Sequence, residues 1–109
     1  MGQPVVGDVV VLPFPQTNLQ AGKRRPALVV ANLPGHDLVL CQITSQLRAD
    51  GLSVVLTDGD FSQSRLAVVS FIRAGRLFTM EPSAILYVAA KVSPAKLNEV
   101  KTMLRQLFA

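Results

Sequence analysis

Six short apolar runs recur through the first four-fifths of the chain, at residues 9–12, 27–31, 38–43, 53–57, 66–72 and 76–79. Val, Leu and Ile fill them, as strands on a buried sheet prefer, and Asn, Asp, Gly and Pro punctuate the gaps. Connections this short leave no room for the crossover helices that a parallel sheet requires. The expected fold is therefore mainly β and antiparallel, a small barrel or sandwich. The character changes near the end. Ser93 reads as an N-cap, Pro94 as the first helical residue, and Val92 as a staple against Leu97. Leu97, Val100, Leu104, Leu107 and Phe108 then recur at helical spacing, with Lys96, Lys101 and Arg105 expected to face outward. This predicts one amphipathic C-terminal helix of about four turns, packed on the barrel. A shorter helical turn is expected at residues 82–86, and residues 1–109 read as one domain.

Composition bounds what the sheet is for. Half of the 109 residues are hydrophobic and only 17% are charged, against roughly a quarter in an average soluble domain. The chain is too apolar to be disordered, and its surplus is available to cover a partner. No run approaches the roughly 18 to 20 apolar residues that span a bilayer, and Met1-Gly2-Gln3-Pro4 lacks the look of a signal peptide. Cys41 is the single cysteine, which excludes an intrachain disulfide and a cysteine cluster for zinc. It reads as a small buried hydrophobe, and a cytoplasmic location away from membranes is expected.

Several chemistries fall away. His36 is the only histidine, in an Asn-Leu-Pro-Gly-His-Asp turn, so a two-histidine ribonuclease mechanism and an H-E-x-x-H metal site are excluded. No glycine-rich phosphate loop occurs. Asp58-Gly59-Asp60 resembles part of a calcium loop without the remaining ligands, and reads as a turn. Neither a metal nor a cofactor is expected.

What remains is a loop of cations and a strand that ends in hydroxyls. The net charge of +4 gathers once, at Lys23-Arg24-Arg25 ahead of Pro26. The proline biases Arg25 to an extended backbone, and arginine suits a bidentate grip on phosphate. Farther on, Ile43-Thr44-Ser45-Gln46 ends an apolar run with three hydrogen-bonding side chains, as a site on an emerging strand would. The plainer alternative is that the arginines are solvated and that Thr44-Ser45 begins a turn.

The order of these motifs resembles the MazF/PemK toxins of bacterial toxin–antitoxin pairs. The similarity runs through Gly7-Asp8-Val9-Val10-Val11-Leu12-Pro13-Phe14-Pro15, Lys23-Arg24-Arg25-Pro26-Ala27-Leu28-Val29-Val30 and Cys41-Gln42-Ile43-Thr44-Ser45-Gln46. It continues in Ser70-Phe71-Ile72-Arg73-Ala74-Gly75-Arg76-Leu77-Phe78-Thr79 and Ser93-Pro94-Ala95-Lys96-Leu97. Ala89-Ala90 and the stretch from Arg65 through residues 66–69 depart from the family pattern, which loosens the assignment of Ser70 and Arg73.

The resemblance implies an SH3-like barrel with a C-terminal helix, a homodimer, and metal-independent cleavage of single-stranded RNA. It assigns Arg25 and Thr44 as the catalytic pair. RNA contacts are expected from Phe14, Thr17, Asn18, Lys23, Arg24, Ser45, Gln46, Ser70 and Arg73. Phe14 has two open readings, a stacking surface for a base or a piece of core. The resemblance also implies an acidic antitoxin segment covering Arg25 and Thr44. Two other functions fit the same fold: a gyrase-poisoning toxin of the CcdB type, or an inactive barrel that binds only antitoxin or RNA. The first relies on a C-terminal tryptophan, and this chain has none.

Overall fold

The computed structural model describes residues 3–14, 23–47 and 51–109. Seven strands form one sheet: β1 (Asp8–Phe14), β2 (Lys23–Asn32), β3 (Leu38–Thr44), β4 (Ser53–Leu56), β5 (Phe61–Gln63), β6 (Ser70–Met80) and β7 (Tyr87–Val92). A helix, α1 (Pro94–Leu107), closes the chain. The spatial order is β4-β6-β3-β2-β1-β7-β5, and every pairing is antiparallel. Val54 and Leu56 of β4 share one core cluster with Phe61 of β5, although the two strands lie at opposite ends of that order. The sheet therefore curls into a half-barrel, and side chains rather than a β4–β5 ladder fill its interior.

Continuous apolar runs arise because the central strands are buried on both faces. Val9 and Leu28 point into the interior cluster with Val100 of α1, while their neighbours Val10, Ala27 and Val29 join a second cluster on the outer face. Strict alternation of polar and apolar residues is the mark of a sheet with one wet face, and β1 and β2 have none. Each fully buried leucine of this double core, such as Leu28 or Leu40, contributes about 2–3 kcal/mol by leaving water.

The helix begins as its sequence predicts. The Lys96 amide donates to the Ser93 hydroxyl at 3.2 Å, Pro94 occupies the first turn, and Val92 and Leu97 pack in the same cluster. Lys96 itself is a correction. Its side chain is only 7% exposed, and its ammonium lies 3.0 Å from Glu99 and 3.6 Å from Asp60. Helical spacing alone does not reveal that the turn at Asp58–Asp60 brings a carboxylate to that face.

Three other expectations change. Residues 66–69 are not strand: Leu66 packs against the core, and residues 67–69 stay exposed. The segments at 70–72 and 76–79 belong to one long β6, with Ala74, Gly75 and Arg76 looped out of its ladder with β3. The strands β5 and β7 went unanticipated: β5 is only three residues long, and in β7 Ala89-Ala90-Lys91, of little β-propensity, separate Tyr87-Val88 from Val92. The turn expected at 82–86 is present as a single 3-10 turn, Pro82–Ala84.

Candidate functional site

Register places the candidate residues. Across β1 and β2, Leu12 faces Arg25, Pro13 faces Arg24 and Phe14 faces Lys23. Across β2 and β3, Ala27 faces Gln42, and the same register carried two residues further sets Arg25 opposite Thr44. Thr44 in turn faces Phe71 of β6, and Phe71 faces Val55 of β4. Directly opposed residues share a sheet face. The outer face thus carries a row of apolar, cationic, hydroxyl, aromatic and apolar side chains, in that order.

Beside Arg25 and Thr44 of this row, where β2 begins and β3 ends, opens a cleft of about 550 Å³. One wall is Lys23, Arg24, Arg25 and Pro26, the floor is Ile43, Thr44, Ser45 and Gln46, and Leu66, Ala67, Val68 and Ser70 form the opposite lip. Lys23 and Arg24 are exposed, whereas Arg25 and Thr44 are half-buried. Among the described residues, none of the three cations pairs with a carboxylate. Their charge is left facing the cleft, a field that favours an anion.

The hydroxyls have distinct attachments. The Thr44 hydroxyl accepts from the Gln46 amide at 3.2 Å, which fixes its rotamer and leaves its own proton to donate. The buried Ser70 hydroxyl donates to the Val68 carbonyl at 3.0 Å, so it holds the lip in place. Arg73 sits on β6 opposite Gln42, outside the residues that line the cleft. Phe14 lies against Phe78, ring centres 5.1 Å apart and nearly perpendicular, at a separate cavity. Thr17 and Asn18 lie outside the described residues.

Two other sequence candidates resolve simply. Cys41 is buried at the centre of the sheet, and burial pushes its thiol up to about 12, which makes it a poor nucleophile. His36 is an exposed residue in the turn between β2 and β3, with φ of 82°. Among the described residues, no group of three His, Cys, Asp or Glu side chains is placed to hold a metal ion. Sequence reasoning missed the apolar lip at Leu66, Ala67 and Val68, and it missed Phe71 beside Thr44. The lip looked like a strand, and the Thr44–Phe71 pairing becomes visible only with the register.

Residues 6–108 match the family model of PemK-like, MazF-like toxins of type II toxin–antitoxin systems. The chain belongs to this toxin family. Solved structures carry the same fold over nearly the whole chain. MazF in a MazE–MazF complex from Deinococcus radiodurans is 24% identical with a TM-score of 0.77, covering 98% of this chain and 97% of that one. An endoribonuclease from a mycobacterial species is 19% identical with a TM-score of 0.74, covering 99% and 93%. A mycobacterial endoribonuclease in complex with its cognate antitoxin is 20% identical with a TM-score of 0.72, covering 96% and 94%. No curated protein sequence matches the chain at the same stringency. The cation loop, the Ile-Thr-Ser-Gln strand end and the closing helix of this PemK/MazF-like toxin all lie within the matched span.

Proposed function

We propose that this PemK/MazF-like toxin is an endoribonuclease that cleaves single-stranded RNA without help from a metal. The observation that carries the reading is the convergence of Arg25 and Thr44 in one cleft, beside two further cations. RNA supplies its own nucleophile, so the enzyme has only to align the 2′-hydroxyl and stabilise developing charge. Arg25 grips the scissile phosphate and offsets the charge of the transition state. Thr44 donates a hydrogen bond to a phosphate oxygen and holds the attack geometry. The 2′-oxygen bonds to phosphorus as the bond to the 5′-oxygen breaks. The proton lost from the 2′-hydroxyl is balanced by one gained at the 5′-oxygen, through the guanidinium or water. The products are a 2′,3′-cyclic phosphate and a 5′-hydroxyl.

Lys23 and Arg24 extend the grip along the backbone, and Ser45 and Gln46 offer contacts to bases. Ser70 supports the lip, and the position of Arg73 gives it a role beside the cleft rather than in it. Similar structures hold MazF with its MazE antitoxin, which supports an antitoxin partner for this chain. An acidic antitoxin segment suits the cations of the cleft, which pair with no carboxylate among the described residues. Leu86, Tyr87 and Val88 are each about half exposed, at 47%, 53% and 48%, and this exposed apolar segment supports a second copy in a homodimer. A cytoplasmic RNA pool is the substrate.

The test is cleavage of a long single-stranded RNA in EDTA. Discrete fragments with 5′-hydroxyl ends are expected, with at least about a hundredfold loss in Arg25→Ala or Thr44→Ala. Cleavage that requires an added metal would defeat the mechanism. Binding without cleavage across varied sequences would leave an inactive RNA-binding barrel.

A further inference from the structure

The outer face holds a second cavity, of about 420 Å³, that the cleavage scheme does not use. Leu12 and Phe14 of β1, Gln42 of β3, and Arg76, Phe78 and Met80 of β6 frame it. Register ties it to the cleft. Leu12 stands opposite Arg25, and Phe14 stands opposite Lys23. Gln42 precedes Thr44 by two residues on the same face of β3. Arg25 and Thr44 therefore line the cationic, polar depression, and Leu12 and Gln42 beside them on the same face line the aromatic one.

A bulge shapes the aromatic depression. Cys41 faces Leu77 while its neighbour Gln42 faces Arg73, so Ala74, Gly75 and Arg76 leave the ladder together. Bulges of this kind re-aim side chains, and they gather beside functional sites. The excursion is fixed by the Ala74 amide, which donates to the Leu52 carbonyl at 2.8 Å. Glycine at 75 leaves room for Leu52, whose Cδ1 would stand 3.0 Å from a Cβ there. Arg76 from this excursion and Gln42 from β3 add a guanidinium and a carboxamide to a lining otherwise made of apolar side chains and the Thr79 hydroxyl. Core packing alone calls for neither.

We infer that this cavity is a purine subsite, seating the base next to the phosphate held by Arg25 and Thr44. The inference rests on the endoribonuclease reading for its substrate. Proteins read single-stranded RNA by stacking unpaired bases on aromatic rings and bonding their edges. Phe14 and Phe78 supply the apolar walls. A glutamine amide matches adenine N6 and N7, and a guanidinium matches guanine O6 and N7, so both polar groups favour a purine edge.

The experiment walks 2-aminopurine through a single-stranded oligodeoxynucleotide, which lacks the 2′-hydroxyl and so stays intact. It uses the full chain, Phe78→Leu, and Gln42→Met, which keeps the side-chain volume. In parallel, cut sites on a long RNA are mapped for each variant. Quenching of several-fold is expected at one position only, adjacent to the cut, and it should be lost in Phe78→Leu. Gln42→Met should relax the purine preference at that position by about tenfold or more, with neighbouring positions unchanged. Quenching at no position, or quenching that Phe78→Leu leaves intact, would overturn the inference while cleavage stands. Position-specific quenching without any RNA cleavage would keep the subsite and sink the nuclease reading. If either substitution instead dissociates a dimer in sedimentation, the cavity is an interface between copies and the inference fails.

Discussion

The buried ammonium of Lys96 invites a double-mutant cycle, because its partners can be removed one at a time. Its distance to Asp60 is 3.6 Å, and the side chains are 7% and 23% exposed. At an effective dielectric constant of about 20, that separation corresponds to about 4–5 kcal/mol of attraction. The desolvation of the ammonium cancels in the cycle, and solvent screening at the partly exposed Asp60 reduces the measured coupling to about 1–2 kcal/mol. Asp60 is held independently of Lys96, since it accepts from the Thr57 amide at 2.7 Å and the Thr57 hydroxyl at 3.0 Å. Lys96→Met therefore leaves the carboxylate satisfied, and Asp60→Asn leaves Lys96 with Glu99 at 3.0 Å.

The cycle is measured by urea unfolding of wild type, Lys96→Met, Asp60→Asn and the double variant, at one protein concentration. It carries a second signature in pH. Burial pushes the Asp60 carboxyl up, but the two Thr57 bonds and the charge of Lys96 outweigh it and hold the group below its ordinary value. A carboxyl lowered on folding stabilises above its unfolded value, about 3.9, and loses that contribution as the pH falls through its folded value. The coupling should accordingly be full at neutral pH and fade under acid. A coupling below about 0.3 kcal/mol at neutral pH, or one that survives protonation of Asp60, would refute the reasoning.

Ser93→Ala removes the acceptor for the Lys96 amide and should destabilise the protein by about 1 kcal/mol, read as a fall of several degrees in Tm. Cys41 should resist a thiol reagent in the native chain at neutral pH and react at once in denaturant, since burial holds its pKa near 12. Fast native labelling would mean that the sheet opens locally at β3. Arg25→Ala should cut RNA cleavage by at least about a hundredfold while the unfolding free energy stays within about 1 kcal/mol of wild type, because the side chain lies outside both core clusters. A large loss of stability instead would make Arg25 a structural residue.

The parts of the fold legible in the sequence are those whose signal is local. Ser93-Pro94 announces the helix because capping and proline placement act within one turn. The runs at 9–12, 27–31 and 38–43 announce strands because burial on both faces removes every ambiguity of alternation. The strand β7 stays hidden since its Ala89-Ala90-Lys91 stretch owes its conformation to pairing with β1, a contact far away in sequence. Lys96 faces inward for the same kind of reason, a carboxylate delivered from a distant turn. The cation loop and the Thr44 strand end were readable as chemistry, while their adjacency needed the register of β2 and β3.

That adjacency follows from the double burial of the central strands. With one core cluster on each face, the middles of β1, β2 and β3 carry no charged side chain. Charged groups appear where these strands leave the core, at their ends. Antiparallel pairing puts the start of β2 and the finish of β3 at the same end of the sheet. Lys23-Arg24-Arg25 begins β2, and Thr44-Ser45-Gln46 completes and follows β3, so the two polar segments must meet. The other end of this pair is the Leu33–Asp37 turn, closed on itself by backbone bonds of 2.8 and 3.0 Å and carrying no cation. Placing the three cations at that turn instead would keep the net charge of +4 and lose the cleft. Position in the strand order, rather than charge, makes the site.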